Sequence, residues 1–167
     1  MTKVVIVGGG HAGANTAFAL RKDGFDGDIN IICDESHLPY HRPPLSKDFL
    51  KQKIEEDKLS FKTAEFYNDQ NISLNLNTRV QSIDLESNKV FSDDGSFDFD
   101  YLVFATGAAP RLLPMENADA KNLFYLRQIS DVVSMQKVIA AGKKIVLIGG
   151  GYIGLEVASA MIELGLE

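Results

Sequence analysis

The stretch Lys3-Val4-Val5-Ile6-Val7-Gly8-Gly9-Gly10-His11-Ala12-Gly13 decides the fold. Val4 to Val7 is continuously apolar and β-branched, the pattern of a central parallel strand covered on both faces. Glycines at G-x-G-x-x-G spacing follow. Gly13, Ala17 and Leu20 then fall at i, i+4 and i+7, one face of a helix over Gly10–Lys22. Gly24 ends that helix, because glycine enters the left-handed region at little cost. Ile29 to Cys33 reads as a second strand, with Asp34 and Glu35 at its end. Strand, glycine loop, helix, strand and acid in this order form a right-handed β-α-β unit suited to a dinucleotide.

Each glycine has a physical task. Gly8 allows the tight turn out of the strand, Gly10 lets backbone approach the phosphates, and Gly13 lets the helix pack close. A pyrophosphate is a compact dianion, and the free amides at a helix start hold it cheaply. Asp34 or Glu35 supplies the carboxylate that grips ribose hydroxyls.

The motif recurs at Lys144-Ile145-Val146-Leu147-Ile148-Gly149-Gly150-Gly151-Tyr152-Ile153-Gly154. One constant shift aligns Gly8 with Gly149, Gly10 with Gly151, Gly13 with Gly154, Ala17 with Ala158 and Gly24 with Gly165. The period is too long for a solenoid and fits two related nucleotide domains. Two dinucleotide sites in one chain point to electron transfer between two bound nucleotides. The acid of the second copy would lie beyond Glu167.

Bulk properties exclude other classes. The net charge of -6 over 167 residues argues against a general nucleic-acid binder. No apolar run reaches the ~20 residues of a membrane span, and a signal peptide is broken by Gly8 to Gly10, so a cytoplasmic location is expected. Cys33 is the single cysteine, which rules out an intrachain disulfide and a multi-cysteine zinc site. It reads as a buried small hydrophobe. His37 and His41 have no carboxylate or cysteine at ligand spacing, so no metal site is expected.

Between the motifs, Leu38 to Leu45 is proline-rich and reads as an ordered bend. Ser46 can cap a short helix beginning at Lys47. Glu55 to Lys62 reads as a solvated face, and Ala64 to Asp69 as a helical turn. Ile72, Leu74 and Leu76, then Ile83 and Leu85, alternate as half-buried strands. Asp94-Gly95 signals a hairpin. With Phe97 and Phe99 this region reads as an antiparallel meander inserted into a parallel fold. Tyr101 to Ala105 is another buried-type strand, and Asp131 to Ala141 a helix with Val132, Met135, Val138 and Ile139 on one side.

Pro39-Tyr40-His41-Arg42-Pro43-Pro44-Leu45-Ser46-Lys47 and Ala105-Thr106-Gly107-Ala108-Ala109-Pro110-Arg111, with the two glycine motifs, resemble FAD-dependent ferredoxin and rubredoxin reductases. These belong to the pyridine nucleotide-disulfide oxidoreductase superfamily, and the resemblance spans all 167 residues. It implies a Rossmann-like FAD-binding domain over 1–114, with the inserted meander. A linker and the first strand and helix of a second Rossmann-like, NAD(P)-binding domain follow over 115–167. Family members are well over twice this length, so the chain is expected to be an incomplete piece, inactive by itself. The apolar strand Val146–Ile148 and the helix face Ile153, Val157 and Met161 are then expected to dock on the FAD-domain sheet, to dimerise or swap, or to be disordered.

The resemblance also implies roles. Gly8, Gly10, His11, Ala12 and Gly13 would hold the FAD pyrophosphate, and Asp34, with Glu35, the adenosine ribose. Arg42, Pro43 and Lys47 would line the FAD, Lys47 near the flavin ring, with Val80 on the adenine side. Ala105, Thr106, Gly107 and Arg111 match a second flavin-contact segment, and Arg127 a third. Gly149, Gly151, Tyr152, Ile153 and Gly154 would hold NAD(P)H, with Glu156 near the nicotinamide and Lys47. Lys47 and Glu156 are the catalytic candidates, a lysine stabilising charge on reduced flavin. Without the resemblance, Lys47 and Arg127 read as surface bases, Glu156 as a solvated helix residue, and His11 as a side chain facing flavin or solvent.

Disulfide-reducing relatives need a C-x4-C pair, and peroxide-reducing relatives one cysteine, where this chain has Arg42-Pro43-Pro44-Leu45-Ser46. The resemblance then makes one-electron delivery to an iron–sulfur ferredoxin or a rubredoxin the best outlet, with a nitrite reductase flavin domain and a monodehydroascorbate-type reductase also open. The competing class is a non-catalytic nucleotide-binding module, or a flavoprotein of the apoptosis-inducing-factor type acting by interaction. NADH or NADPH preference would be set beyond Glu167.

Overall fold

Strand β1 (Lys3–Val7) is buried along almost its whole length because both of its faces are covered. It pairs in parallel with β2 (Asp28–Ile32), aligning Val7 with Ile32. It is followed by helix α1 (His11–Lys22). Helix α2 (Ala64–Asp69), capped by Thr63, leads into β3 (Ile72–Asn75), which pairs in parallel with β2. Strands β4 (Val80–Asp84), β5 (Lys89–Ser92) and β6 (Gly95–Asp98) form an antiparallel three-stranded meander. Strand β7 (Tyr101–Phe104) returns to the parallel sheet beside β1, giving the order β3-β2-β1-β7. This is a computed structural model; it describes residues 1–114, 116 and 122–167, so Met115, where the expected second segment begins, lies outside them. The chain divides into two compact units, Met1–Tyr40 with Ser60–Ala108, and His41–Leu59 with Ala109–Glu167.

In the first unit the sheet is the middle of three layers. Val4, Ile6, Ile29, Ile31 and Ile72 pack with Ala17 of α1 and Tyr67 of α2. Val5, Val7 and Ile32 pack on the other side with Val90 and Phe99. Side chains of a strand alternate between faces. An all-apolar strand is therefore stable only where both faces have a cover, and the meander is the second cover. Arg21 ties the layers at one end, donating to the carbonyls of Phe25 (2.7 Å), Gly27 (2.8 Å), Gln70 (2.7 Å) and Asn71 (2.6 Å).

The first-unit elements match the expected parallel sheet and meander, with local differences. Ile72 and Leu74 belong to the parallel sheet, not to the meander. The hairpin turn is Asp93-Asp94, with Gly95 already paired to Ser92 and held at φ +140°. β7 is an edge strand, so Tyr101 and Phe104 are exposed despite their apolar run.

The regular elements of the second unit are all helical. A 3-10 turn at Pro43–Ser46 and another at Glu56–Leu59 join helix α3 (Ile129–Gln136) and helix α4 (Tyr152–Glu163). Both helices pack on the first of these turns. Ser46 does not cap a helix: Lys47 follows at φ -127° and ψ -112°, which is not helical. α3 is shorter than expected at its far end, leaving Val138 exposed, while Val132 and Met135 are buried. Its start is set by a capping box in which Asp131 accepts from the Gln128 amide at 2.8 Å. Residues 145–148 belong to no sheet, and Val146 and Ile148 are exposed. The Ile145 amide donates to the Glu167 carbonyl at 2.8 Å, and the run forms no ladder beyond that contact among the described residues. Val157 and Met161 are nevertheless buried, while Ile153 is exposed.

Candidate functional site

The strand registers bring three segments to one edge of the parallel sheet. Val7 is opposite Ile32 on one side and Phe104 on the other. The segments that follow, Gly8–Gly13, Cys33–Glu35 and Ala105–Gly107, therefore leave from the same carboxyl edge. Two hydrogen bonds extend the register, Gly8 N to the Ile32 carbonyl and Ala105 N to the Val7 carbonyl, both at 2.8 Å. The chain runs β1, β2, β3 in one direction and then returns to the opposite side of β1. The gap between β1 and β7 is thus the topological switch point, the place where open α/β sheets bind ligands.

The glycines behave there as the motif requires. Gly8 sits at φ +113°, and a Cβ on it would strike the Ala105 carbonyl. A Cβ on Gly13 would strike the Gly8 carbonyl, so α1 lies directly against the turn. A Cβ on Gly10 would meet nothing within 4 Å, leaving open space at the helix start. Gly10 is the N-cap of α1, no side chain caps it, and the first turn holds no acid. An uncapped helix start facing open space, with positive partial charge, fits a phosphate dianion. Gly107 adopts φ +70° in the neighbouring turn, and Thr106 and Gly107 are both exposed.

The acids are placed differently from each other. Asp34 is exposed and pairs with Arg79 at 3.5 Å. Glu35 accepts from the Tyr40 hydroxyl at 2.6 Å. Arg79 and Tyr40 were not among the expected site residues: Arg79 lies in no motif, and Tyr40 lies in the Pro39–Lys47 block but was given no role there. Val80 packs half-buried against the Val5, Val7 and Val90 cluster. His11 is exposed at the first turn of α1 and stacks edge-on with Phe61, centroids 4.7 Å apart. Cys33 lies behind the loop, where a Cβ on Gly9 would meet its Sγ at 2.8 Å. Burial pushes its thiol pKa up, as expected of a packing residue and not of a nucleophile.

The second unit holds the other candidates. Lys47 Nζ is 3.2 Å from Glu156 Oε1. Ser46 Oγ donates to Glu156 Oε2 at 2.5 Å. The Ser46 hydroxyl, then the Lys47 ammonium, hold the Glu156 carboxyl below the ordinary carboxylate range. Lys47, Lys51, Tyr152, Leu155, Glu156 and Ser159 line one open cleft. Lys51 and Lys53 both pair with Glu163, which fixes the segment after Lys47 to α4. Arg42 donates through Nη1 to the Arg127 carbonyl at 2.8 Å, so these two candidates meet, although through Arg127 backbone. Pro43 and Arg111 are exposed.

The second glycine loop copies the first in backbone. Gly149 has φ +112° where Gly8 has +113°, and Gly165 has +82° where Gly24 has +85°. Gly151 is an uncapped N-cap like Gly10, and a Cβ on Gly154 would strike the Gly149 carbonyl. Tyr152 and Ile153 are exposed at the start of α4. The likeness persists although only the first loop follows a sheet strand. The loop conformation is therefore local, set by glycine positions and the helix start.

No group of histidine, cysteine and carboxylate residues that could hold a metal exists among the described residues. No helix among them is long and apolar enough to cross a membrane.

The chain is 42% identical over 163 residues to a rubredoxin-NAD(+) reductase of Pseudomonas putida, covering 97% of this chain and 42% of that protein. It is 44% identical over 161 residues to the ferredoxin--NAD(+) reductase component of a p-cumate 2,3-dioxygenase system from Pseudomonas putida, covering 96% and 40%. Among solved structures it superposes on the reductase of a covalent putidaredoxin reductase-putidaredoxin complex with a TM-score of 0.94 at 41% identity, covering 99% and 40%. The chain thus spans about two-fifths of the length of these relatives. A family model described as pyridine nucleotide-disulphide oxidoreductase matches residues 2–167, and the glycine loop at the switch point of its parallel sheet agrees: the chain belongs to that family.

Proposed function

We propose that the chain contributes the FAD site and the start of the NAD(P)H site of an NAD(P)H-dependent ferredoxin or rubredoxin reductase. The observation that carries this reading is the uncapped α1 start at the β1/β7 switch point, with Gly8 and Gly13 too close to backbone for any side chain. FAD supplies hydride acceptance from a nicotinamide and one-electron release, which no side chain offers. The amides of the Gly8–Gly13 loop hold its pyrophosphate, with Ala12 and His11 at the first turn. Asp34 and Glu35 take the ribose, and Ala105, Thr106 and Gly107 border the same edge. Val80, Arg42, Pro43, Arg111 and Arg127 keep the FAD-contact roles that the resemblance implies. Gly149, Gly151, Tyr152, Ile153 and Gly154 receive NAD(P)H, and Lys47 with Glu156 sets the charge at the redox centre. We assign 1–114 to the FAD domain and 115–167 to the linker and the start of the NAD(P)H domain. The acceptor is an iron–sulfur ferredoxin or a rubredoxin in the cytoplasm, by analogy with the relatives' named reactions.

Titrating the full-length protein with FAD, then adding NADH or NADPH anaerobically, tests the proposal. Stoichiometric binding and bleaching of the flavin band are expected. Bound flavin that neither nicotinamide bleaches would favour a flavoprotein acting by interaction, and no flavin binding at all would sink the reading.

A further inference from the structure

Ser46 is 4% exposed, and its hydroxyl proton is committed. A hydroxyl has one proton to donate. The 2.5 Å contact to Glu156 Oε2 takes it, while the alternative acceptor, the Pro43 carbonyl, lies at the 3.5 Å limit. The 3-10 turn Pro43–Ser46 and helix α4 pack together, so donor and acceptor are each carried on backbone held by that packing. Glu156 then has one oxygen occupied by Ser46 and the other turned to Lys47 at 3.2 Å. Of the other charged or titratable groups lining this cleft, Lys51 is engaged by Asp48 at 3.3 Å and by Glu163 at 2.9 Å. Tyr152 is 90% exposed and is the remaining one.

We infer that Ser46 is a positioning residue that fixes the rotation of the Glu156 carboxylate, so that one oxygen is reserved for the Lys47 ammonium. The inference rests on the proposed function for its consequence, since Lys47 acts there on a reduced flavin. Its geometric content stands by itself. A free glutamate on a helix samples several rotamers and presents either oxygen to a lysine that is itself half-exposed. A charge held in one place gives a constant field, whereas a wandering one is averaged by solvent. The direction of the Glu156 shift agrees, lowered by the serine hydroxyl and by the lysine ammonium.

The test uses the full-length, FAD-loaded protein with glutamate labelled at the carboxyl carbon, read by NMR titration. In the native protein Glu156 titrates below ordinary glutamates. Ser46→Ala should move it up toward them, and Ser46→Thr, which keeps the hydroxyl, should restore it. The flavin midpoint potential should move in Ser46→Ala in the same direction as in Glu156→Gln, by a smaller amount, while Ser46→Thr leaves it in place. If Ser46→Ala does not fold, Ser46→Cys gives the same comparison through a weaker donor. An unmoved Glu156 titration overturns the inference, and so does a moved titration with an unmoved potential. Should the native protein take up no FAD, the functional proposal fails, yet the carboxyl titration still decides whether Ser46 orients Glu156.

Discussion

Replacing Gly13 by alanine sets helix propensity against packing. In an unconstrained helix the change stabilises by about 1 kcal/mol, because alanine loses less backbone entropy. Here the new Cβ would overlap the Gly8 carbonyl oxygen, with that carbonyl's carbon at 3.2 Å and Ile6 Cγ2 at 3.3 Å. The oxygen cannot retreat, because a Cβ on Gly8 would itself strike the Ala105 carbonyl and Gly8 N is bonded to Ile32. α1 must therefore shift away from β1, loosening Ala14 and Ala17, both wholly buried. Overpacking of this kind costs roughly 1–3 kcal/mol, enough to cancel or exceed the propensity gain. A net loss of up to about 2 kcal/mol is expected, up to about 8 °C in Tm for a chain of this size. Two companion variants isolate the cause. Gly10→Ala meets nothing within 4 Å, so its Tm should change little, yet its methyl would stand where the pyrophosphate approaches and FAD affinity should fall. Gly154→Ala meets the Gly149 carbonyl in a loop that follows no sheet strand, so that carbonyl can yield and the loss should be smaller than at Gly13. Thermal unfolding and flavin fluorescence titration report both quantities. A Gly13→Ala protein more stable than the native one would refute the rigid close approach.

Three further outcomes follow from the same packing. Ile31→Ala removes a wholly buried side chain between sheet and helices and should cost about 2–5 kcal/mol in urea unfolding. Tyr67 is 1% exposed and its hydroxyl has no hydrogen-bond partner among the described residues. Tyr67→Phe should therefore be stabilising or neutral, within about 1 kcal/mol. Burial raises the Tyr67 pKa to about 12, so its contribution to stability is present below pH 10 and fades as pH climbs toward 12, a decline that Tyr67→Phe should reduce. Glu156 and Glu163 are lowered from 4.5, Glu156 by Ser46 and Lys47 and Glu163 by Lys53 and Lys51. Their contributions are present above that value and vanish as pH falls through the lowered pKa. Glu163→Gln should accordingly flatten stability against pH in that acid window, and an unchanged acid slope would count against the Lys51–Lys53–Glu163 network.

The order of β1, α1 and β2 could be read directly from residues because each signal is local. Val4–Val7 needs two covers, Gly24 stops a helix, and Asp34 follows the second strand whatever surrounds it. The repeat was legible for the same reason: φ at Gly8 and Gly149 agree within a degree. The fates of Tyr101, Phe104 and Val146–Ile148 were not, since an apolar run does not state whether a neighbouring strand will cover it. Ser46 was misread as a helix cap because its partner, Glu156, is far away in the chain.

Sequence alone thus determined the dinucleotide loop, its repetition and the absence of a cysteine from the Arg42–Ser46 segment, all properties of neighbouring residues. Tertiary structure decided that β7 returns beside β1 to create the switch point, that Ile72 joins the parallel sheet, and that Ser46 and Lys47 share one carboxylate. Those pairings join residues tens to more than a hundred positions apart. They are selected by which faces can be buried together, a choice that no single stretch of chain contains.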